Sequence, residues 1–168
     1  MADDAAIDAR LIERDSQQTA AVRFREPMAT VDVGALMDRA MGALGARLGE
    51  AAISPAGPPY ARYHDWGGEW ADVEIGFPLT ERLPGPALAD VSSGEVGGSE
   101  LPGGRVAVAI HLGPYPELGR TYGQLHDWIH ASGEEDGPGP WESYIDDPEE
   151  VADTATLRTE VMWPVVER

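Results

Sequence analysis

Apolar and polar residues alternate in several short stretches of this chain, and in two longer stretches the apolar positions recur at helical spacing. Alternation with period two marks strands that bury one face, whereas steps of three and four mark a helix with one apolar stripe. Residues 9–14 and 19–25, carrying Leu11/Ile12 and Val22/Phe24, read as two strands joined into a hairpin through the polar turn Asp15-Ser16-Gln17-Gln18. Leu36, Ala40, Leu44 and Leu48 then place a helix over Val33 to Leu48, with Asp32 as its N-cap and Gly49 at its end. Strands follow at Tyr60 to Asp65 and Trp70 to Phe77; in the latter Val73, Ile75 and Phe77 alternate with Asp72, Glu74 and Gly76. A connection rich in Pro, Gly and Ser covers about residues 80–104, with Ala87 to Val96 extended along a sheet edge and Gly97-Gly98 and Gly103-Gly104 as turns.

Beyond that connection the pattern begins again. Arg105 to Leu112 reads as a strand, and Pro116 opens a helix to about Ala131 with the stripe Leu118, Tyr122, Leu125 and Ile129. Ser132 to Gly139 is an acidic, glycine-rich loop. A strand then runs from Pro140 to Asp146, and a final strand spans Thr156 to Pro164. Residues 1–6 read as a frayed acidic end. Pro59 to Asp65 answers Pro140 to Asp146, and Ile75-Gly76-Phe77-Pro78 answers Val161-Met162-Trp163-Pro164.

The predicted fold class is therefore α+β, built from duplicated strand-helix-strand-strand units with pseudo-twofold symmetry. Its antiparallel sheets are each backed by a helix, with a ligand cleft between the halves. The whole chain reads as one domain, with a first repeat over about residues 7–79 and a second over about 105–166. Placing the bulkiest residues against the helices assigns Val22/Phe24, Val106/Val108/Ile110, Val73/Ile75/Phe77 and Val161/Trp163 to the helix faces. Ala61, Tyr63, Ala107, Ala109, His111, Glu142, Tyr144, Glu160 and Met162 are left for the cleft faces.

Composition narrows the chemistry. No cysteine and no lysine occur, which excludes disulfides, thiolate sites and lysine Schiff bases. Thirty acidic residues against twelve basic give a net charge of -18, which repels a phosphate backbone and predicts no direct nucleic-acid binding. No apolar run approaches a membrane span, so a cytoplasmic protein without membrane contact is expected. His126 and His130 have the helical spacing of a zinc pair, but neither the metalloprotease Glu nor a third downstream ligand is read from the sequence. No metal and no cofactor are expected.

Glu142 is the leading functional candidate, because a carboxylate inside a buried strand must be compensated by a hydrogen bond, a cation or a proton. Tyr144, Tyr63 and His111 are read as its companions on the cleft faces, with Met162 beside them. Trp141 and Trp163 are candidate walls, and Trp66 and Trp70, flanking Gly67-Gly68, a candidate lid.

Val108-Ala109-Ile110-His111-Leu112-Gly113-Pro114-Tyr115, the helix pattern Leu118, Tyr122, Leu125 and Trp128, Pro140-Trp141-Glu142-Ser143-Tyr144 with Asp147-Pro148, and Thr159-Glu160-Val161-Met162-Trp163-Pro164-Val165 carry a family likeness. In this order they resemble the GyrI-like small-molecule-binding domains, also met as effector-binding domains of AraC-type and multidrug-responsive MerR-type regulators. The resemblance implies a standalone protein that binds, senses or sequesters lipophilic, aromatic or cationic drugs or toxins, with Glu142 at the cleft floor. It also implies two alternatives: a hydrolase of cyclopropane-bearing genotoxins in which Glu142 activates water and Tyr144 steadies the developing charge, and a DNA gyrase inhibitor. No helix-turn-helix segment is read in the chain, so a part in transcription calls for a separate regulator as partner.

Overall fold

The computed structural model describes residues 7–167, so the acidic residues 1–6 lie outside it. The described residues fall into two compact units: unit I is residues 15–103, and unit II joins residues 7–14 to 104–167. Strand β1 (Ala9–Arg14) opens unit II. Unit I follows with β2 (Gln17–Pro27), α1 (Val33–Ala51), β3 (Tyr60–Asp65), β4 (Trp70–Pro78) and β5 (Val96–Leu101). The chain then completes unit II with β6 (Gly104–Leu112), α2 (Leu118–Ala131), β7 (Glu134–Asp136), β8 (Trp141–Tyr144) and β9 (Arg158–Glu167). The strand pairings described below are antiparallel, so the fold is a mixed α/β arrangement of antiparallel sheet and two helices.

In unit I the strand order is β3-β4-β2-β5. Helix α1 starts where predicted: the Asp32 carboxylate accepts a hydrogen bond from the Ala35 N–H at 3.1 Å, satisfying one of the open donors of the first turn. Leu36, Ala40, Leu44 and Leu48 form its buried stripe. The helix runs through Gly49 and ends on Ala52, which takes the left-handed conformation with φ 55° while its N–H and that of Ile53 satisfy the last turn.

The expected hairpin between residues 9–14 and 19–25 does not form. Strand β1 pairs with β6, from Ala9↔Ala109 to Arg14↔Gly104, whereas β2 lies between β4 and β5. Asp15 and Ser16 are the link between β1 and β2, and they lack the glycine or asparagine that a two-residue hairpin turn demands. The edge strand of unit I also differs: it is Val96–Leu101, with only a single bridge from Ala87 to Gly98 and a short 3₁₀ turn at Leu88–Asp90. Gly97 and Gly98 thus lie within a strand and are not turns. The smallness of Gly97 serves close approach, since a Cβ there would sit 2.5 Å from the Leu88 Cα.

In unit II the order is β1-β6-β9-β8, with β7 also on β9, so part of the expected acidic loop is a strand. Its core joins Ala107, Ala109 and Val161 of the sheet to Leu118, Leu125 and Ile129 of α2, with Leu11, Tyr122, Trp128, Trp163 and Val165 packed around them. Each fully buried Leu or Ile here stabilises the fold by about 1.5–3 kcal/mol. The faces of β6 are therefore the reverse of the expectation: the small residues Ala107 and Ala109 face the helix, and Val106 and Val108 are buried on the other side. Ile110, expected under the helix, is 41% exposed. Alanines let the helix backbone come close; the expectation assigned bulk to the wrong side.

Register carries this reversal to neighbouring strands. Glu142 pairs with Val161 and Val161 with Ala109, so Glu142 lies on the helix-covered face, as does Tyr144 beyond it. Met162 and Glu160 lie on the opposite face, opposite Trp141 and Ser143 respectively. In unit I, Ala61 and Tyr63 pair with Ile75 and Val73, which puts them on the face of Val22 and Phe24 rather than away from it.

Replacing Gly97 by Ala is expected to destabilise the protein by about 1–3 kcal/mol, because the added methyl meets backbone rather than a yielding side chain. Urea unfolding checks this; an unchanged midpoint and slope contradict it.

Candidate functional site

Strand β8 is only four residues long, and its Glu142 is 3% exposed. One donor that helps make that burial tolerable comes from the second turn of α2: the Tyr122 hydroxyl donates to Glu142 Oε1 at 2.9 Å. A phenol donor holds a carboxylate in place without cancelling its charge. Tyr122 in turn meets the Trp163 ring edge-on at 6.0 Å between centroids, and the Trp163 Nε1–H donates to the Gly137 carbonyl at 2.9 Å. Glu142, Tyr122 and Trp163 are thereby fixed to one another from three elements.

The aromatic setting continues on the other side. Tyr115, in the 3₁₀ turn before α2, packs edge-on against Tyr144 with centroids 5.4 Å apart. Burial pushes the Tyr115 phenol above its ordinary range, and the negative charges of Asp147, Glu142 and Asp146 push it further. The charge of Glu142 is thus felt at the Tyr115 phenol. Ring faces and a carboxylate together suit an organic cation better than an anion.

Tyr122 and Tyr115 were not among the residues selected from the sequence. Tyr122 was read as part of an apolar stripe and of the family pattern, not as a site residue, although a tyrosine in such a stripe still needs a partner for its hydroxyl. Tyr115 stood in a turn with no periodicity to mark it.

The other selected residues fall elsewhere. His111, 5% exposed, is held against α2 and the following turn: Nδ1 lies 2.6 Å from Thr121 Oγ1, and Nε2 donates to the Pro114 carbonyl at 3.2 Å. Trp141 and Met162 share the far face with Arg14, whose guanidinium lies 5.0 Å from the Trp141 ring centroid and donates to Met162 Sδ at 3.0 Å. Burial lowers the pKa of Arg14, against the charge of Glu160. In unit I, Tyr63 meets Trp66 edge-on at 5.2 Å, and Arg25 lies over Trp70 at 4.7 Å.

A second buried carboxylate was missed entirely. Glu74 in β4 is 2% exposed and accepts from Tyr60, from His64 Nε2 at 2.9 Å and from Ser99 at 3.2 Å. Burial acts to raise its pKa, but the bonds from His64 and Tyr60 and the charges of His64 and Arg62 outweigh that and hold it below the ordinary range. Both oxygens are occupied by side chains of its own unit. Glu74 is an internal tie, and alternation along β3 puts His64 on the same face as Arg62, the residue paired with Glu74.

Antiparallel sheet backed by helices, with one carboxylate held among aromatic rings, defines a small α/β domain of the ligand-binding kind. Residues 9–166 match the GyrI-like small molecule binding domain, and the chain belongs to that family. Among solved structures it resembles the EcmrR C-terminal domain at 24% identity and a TM-score of 0.78, covering 96% of this chain and 99% of that one. The EcmrR chain in an EcmrR-DNA complex aligns at 24% identity and a TM-score of 0.77 over 97% of this chain, but this chain spans only 59% of it. SAV2435 bound to tetraphenylphosphonium is similar at 13% identity and a TM-score of 0.65, covering 95% of this chain and 94% of that one. A hydrolase from Listeria innocua aligns at 14% identity and a TM-score of 0.62, covering 94% and 91%. No curated protein sequence matches the chain. No helix among the described residues is long and apolar enough to cross a membrane.

Two outcomes follow from the buried carboxylates. Tyr122→Phe is expected to cost about 1–3 kcal/mol by removing a donor from a buried charged acceptor; a loss below about 0.5 kcal/mol in chemical denaturation contradicts that role. Glu74 has a depressed folded pKa, so its stabilisation is complete above about 4.3 and is lost as pH falls through the folded value. The stability gap between the protein and its Glu74→Gln variant therefore narrows as pH drops from about 5 toward 2; a gap independent of pH overturns the assignment.

Proposed function

We propose that this domain binds lipophilic organic cations over the helix-covered face of unit II, with Glu142 as counter-charge and Tyr115, Tyr122 and Tyr144 as ring contacts. The observation that carries the reading is a carboxylate kept buried by a phenol and surrounded by tyrosine rings. Family membership supports small-molecule binding, and the tetraphenylphosphonium bound to SAV2435 supports a cation of this type. Because Glu142 is 3% exposed, the ligand reaches it by displacing a ring, and each cation–ring contact formed is worth about 0.5–2 kcal/mol. The net charge of -18 adds attraction for cations and opposes direct nucleic-acid contact.

The two units support a reading as duplicated strand-helix-strand-strand modules. Each runs edge strand, central strand, last strand, short strand: β5-β2-β4-β3 in one and β1-β6-β9-β8 in the other, with a helix after the central strand. On that reading Ala61 occupies in unit I the place of Glu142 in unit II. The counter-charge belongs to one copy only, and binding is one-sided. The likeness to a hydrolase keeps a second reading in play, in which Glu142 activates water against a strained ring; product formation from a cyclopropane-bearing alkylator, lost in Glu142→Gln, distinguishes it from stoichiometric binding.

Calorimetry with tetraphenylphosphonium and with neutral triphenylphosphine oxide tests the proposal. Glu142→Gln is expected to weaken binding of the cation at least about tenfold, the equivalent of about 1.4 kcal/mol, and to leave the neutral compound unaffected. Equal affinity for the cation in both proteins overturns the role of Glu142.

A further inference from the structure

At the end of α2 the helix turns back along the sheet, and this corner gathers three metal-ligating side chains. His126 and His130 are one helical turn apart and so project from the same side of α2. Strand β7 begins soon after the helix ends and pairs with β9, which sets Asp136 opposite Val165. There the Asp136 carboxylate faces both rings: Oδ1 is 2.7 Å from His130 Nε2 and 3.5 Å from His126 Nε2. The two imidazoles lie 4.5 Å apart between centroids, and one donor atom from each of the three residues falls within 4.8 Å of the others.

We propose that His126, His130 and Asp136 form a binding site for a divalent transition-metal ion. Bonds of about 2.0–2.2 Å to nitrogen and oxygen at a tetrahedral angle hold donor atoms roughly 3.3 Å apart. The 3.5 Å separation already matches that spacing, and the 2.7 Å pair needs to open by roughly 0.6 Å, a small change for side chains. Two imidazoles and one carboxylate favour zinc, nickel, copper or cobalt over calcium or magnesium, which take oxygen ligands. The zinc-like spacing of the histidines was legible in the sequence but lacked a third ligand; β7 supplies it from an acidic stretch whose folding back onto β9 had no sequence signal.

The side chains are 46%, 35% and 33% exposed, so an ion enters from solvent and keeps open positions for water. The ion joins the last turns of α2 to β7, two elements otherwise linked by a short connection. His126 also lies 5.8 Å from the Trp163 ring, which packs against Tyr122, so the ion sits beside the aromatic chain that ends at Glu142. The site and its ion are independent of what Glu142 binds.

Titration of tag-free protein with Zn²⁺ by calorimetry, and with Co²⁺ by visible absorption, tests the proposal. Expected are one ion per chain, a cobalt spectrum of a low-coordinate nitrogen and oxygen site, and a thermal midpoint that rises with zinc. His126→Ala leaves the close His130–Asp136 pair in place, and it is expected to weaken zinc at least about tenfold and to abolish the thermal shift. Absence of binding by the unaltered protein overturns the proposal, as does equal zinc affinity in His126→Ala, which would assign the uptake to the acidic surface.

Discussion

A carboxylate stays inside a sheet only when a donor reaches it, and in unit II that donor arrives on a helix. Tyr122 can meet Glu142 because α2 lies close to the strands, and α2 lies close because Ala107 and Ala109 stand beneath it. Larger residues at these two positions would lift the helix and withdraw the phenol. The same packing seats Trp163 against Tyr122, while Tyr115 at the entry to α2 meets Tyr144. Thus the small side chains of β6 serve the carboxylate indirectly. They make room for the helix that holds it, not for a ligand directly.

Two glutamates, Glu74 and Glu142, are buried to nearly the same extent in different surroundings. Glu74 accepts from three side chains, one of them a histidine, and its pKa falls despite burial. Its interactions are directed inward, to side chains of its own unit. Glu142 accepts from the Tyr122 phenol, and its charge adds to the burial that raises the Tyr115 pKa. Burial ranks the two together; for Glu74 the hydrogen bonds from His64 and Tyr60 lower the pKa in spite of it.

Much of this was legible in the sequence. The stripe Leu36, Ala40, Leu44 and Leu48, the Asp32 cap and the suspicion attached to Glu142 all follow from local periodicity and the cost of burying charge. What periodicity does not contain is which side of a strand a helix will choose when both sides are apolar. Val106 and Val108 on one face of β6 and Ala107 and Ala109 on the other gave no local basis for choosing, and bulk pointed the wrong way. Pairing partners were illegible for a related reason: β1 and β2 are adjacent in sequence, yet β1 completes a ladder with β6, almost a hundred residues away. Glu74 was hidden because alternation with Val73 and Ile75 made it look like an ordinary polar face, and Asp136 because an acidic loop rarely announces a strand.

The central claim is that the charge used by this domain is the one on Glu142, on the helix-covered face of unit II. It is tested most directly by carbon-detected NMR of the side-chain carboxylates during titration with tetraphenylphosphonium. The account predicts that the Glu142 carboxylate and the rings of Tyr115, Tyr122 and Tyr144 shift together and saturably, while Glu74 stays still. Shifts confined to the exposed acidic residues, or centred on Glu74, would contradict it.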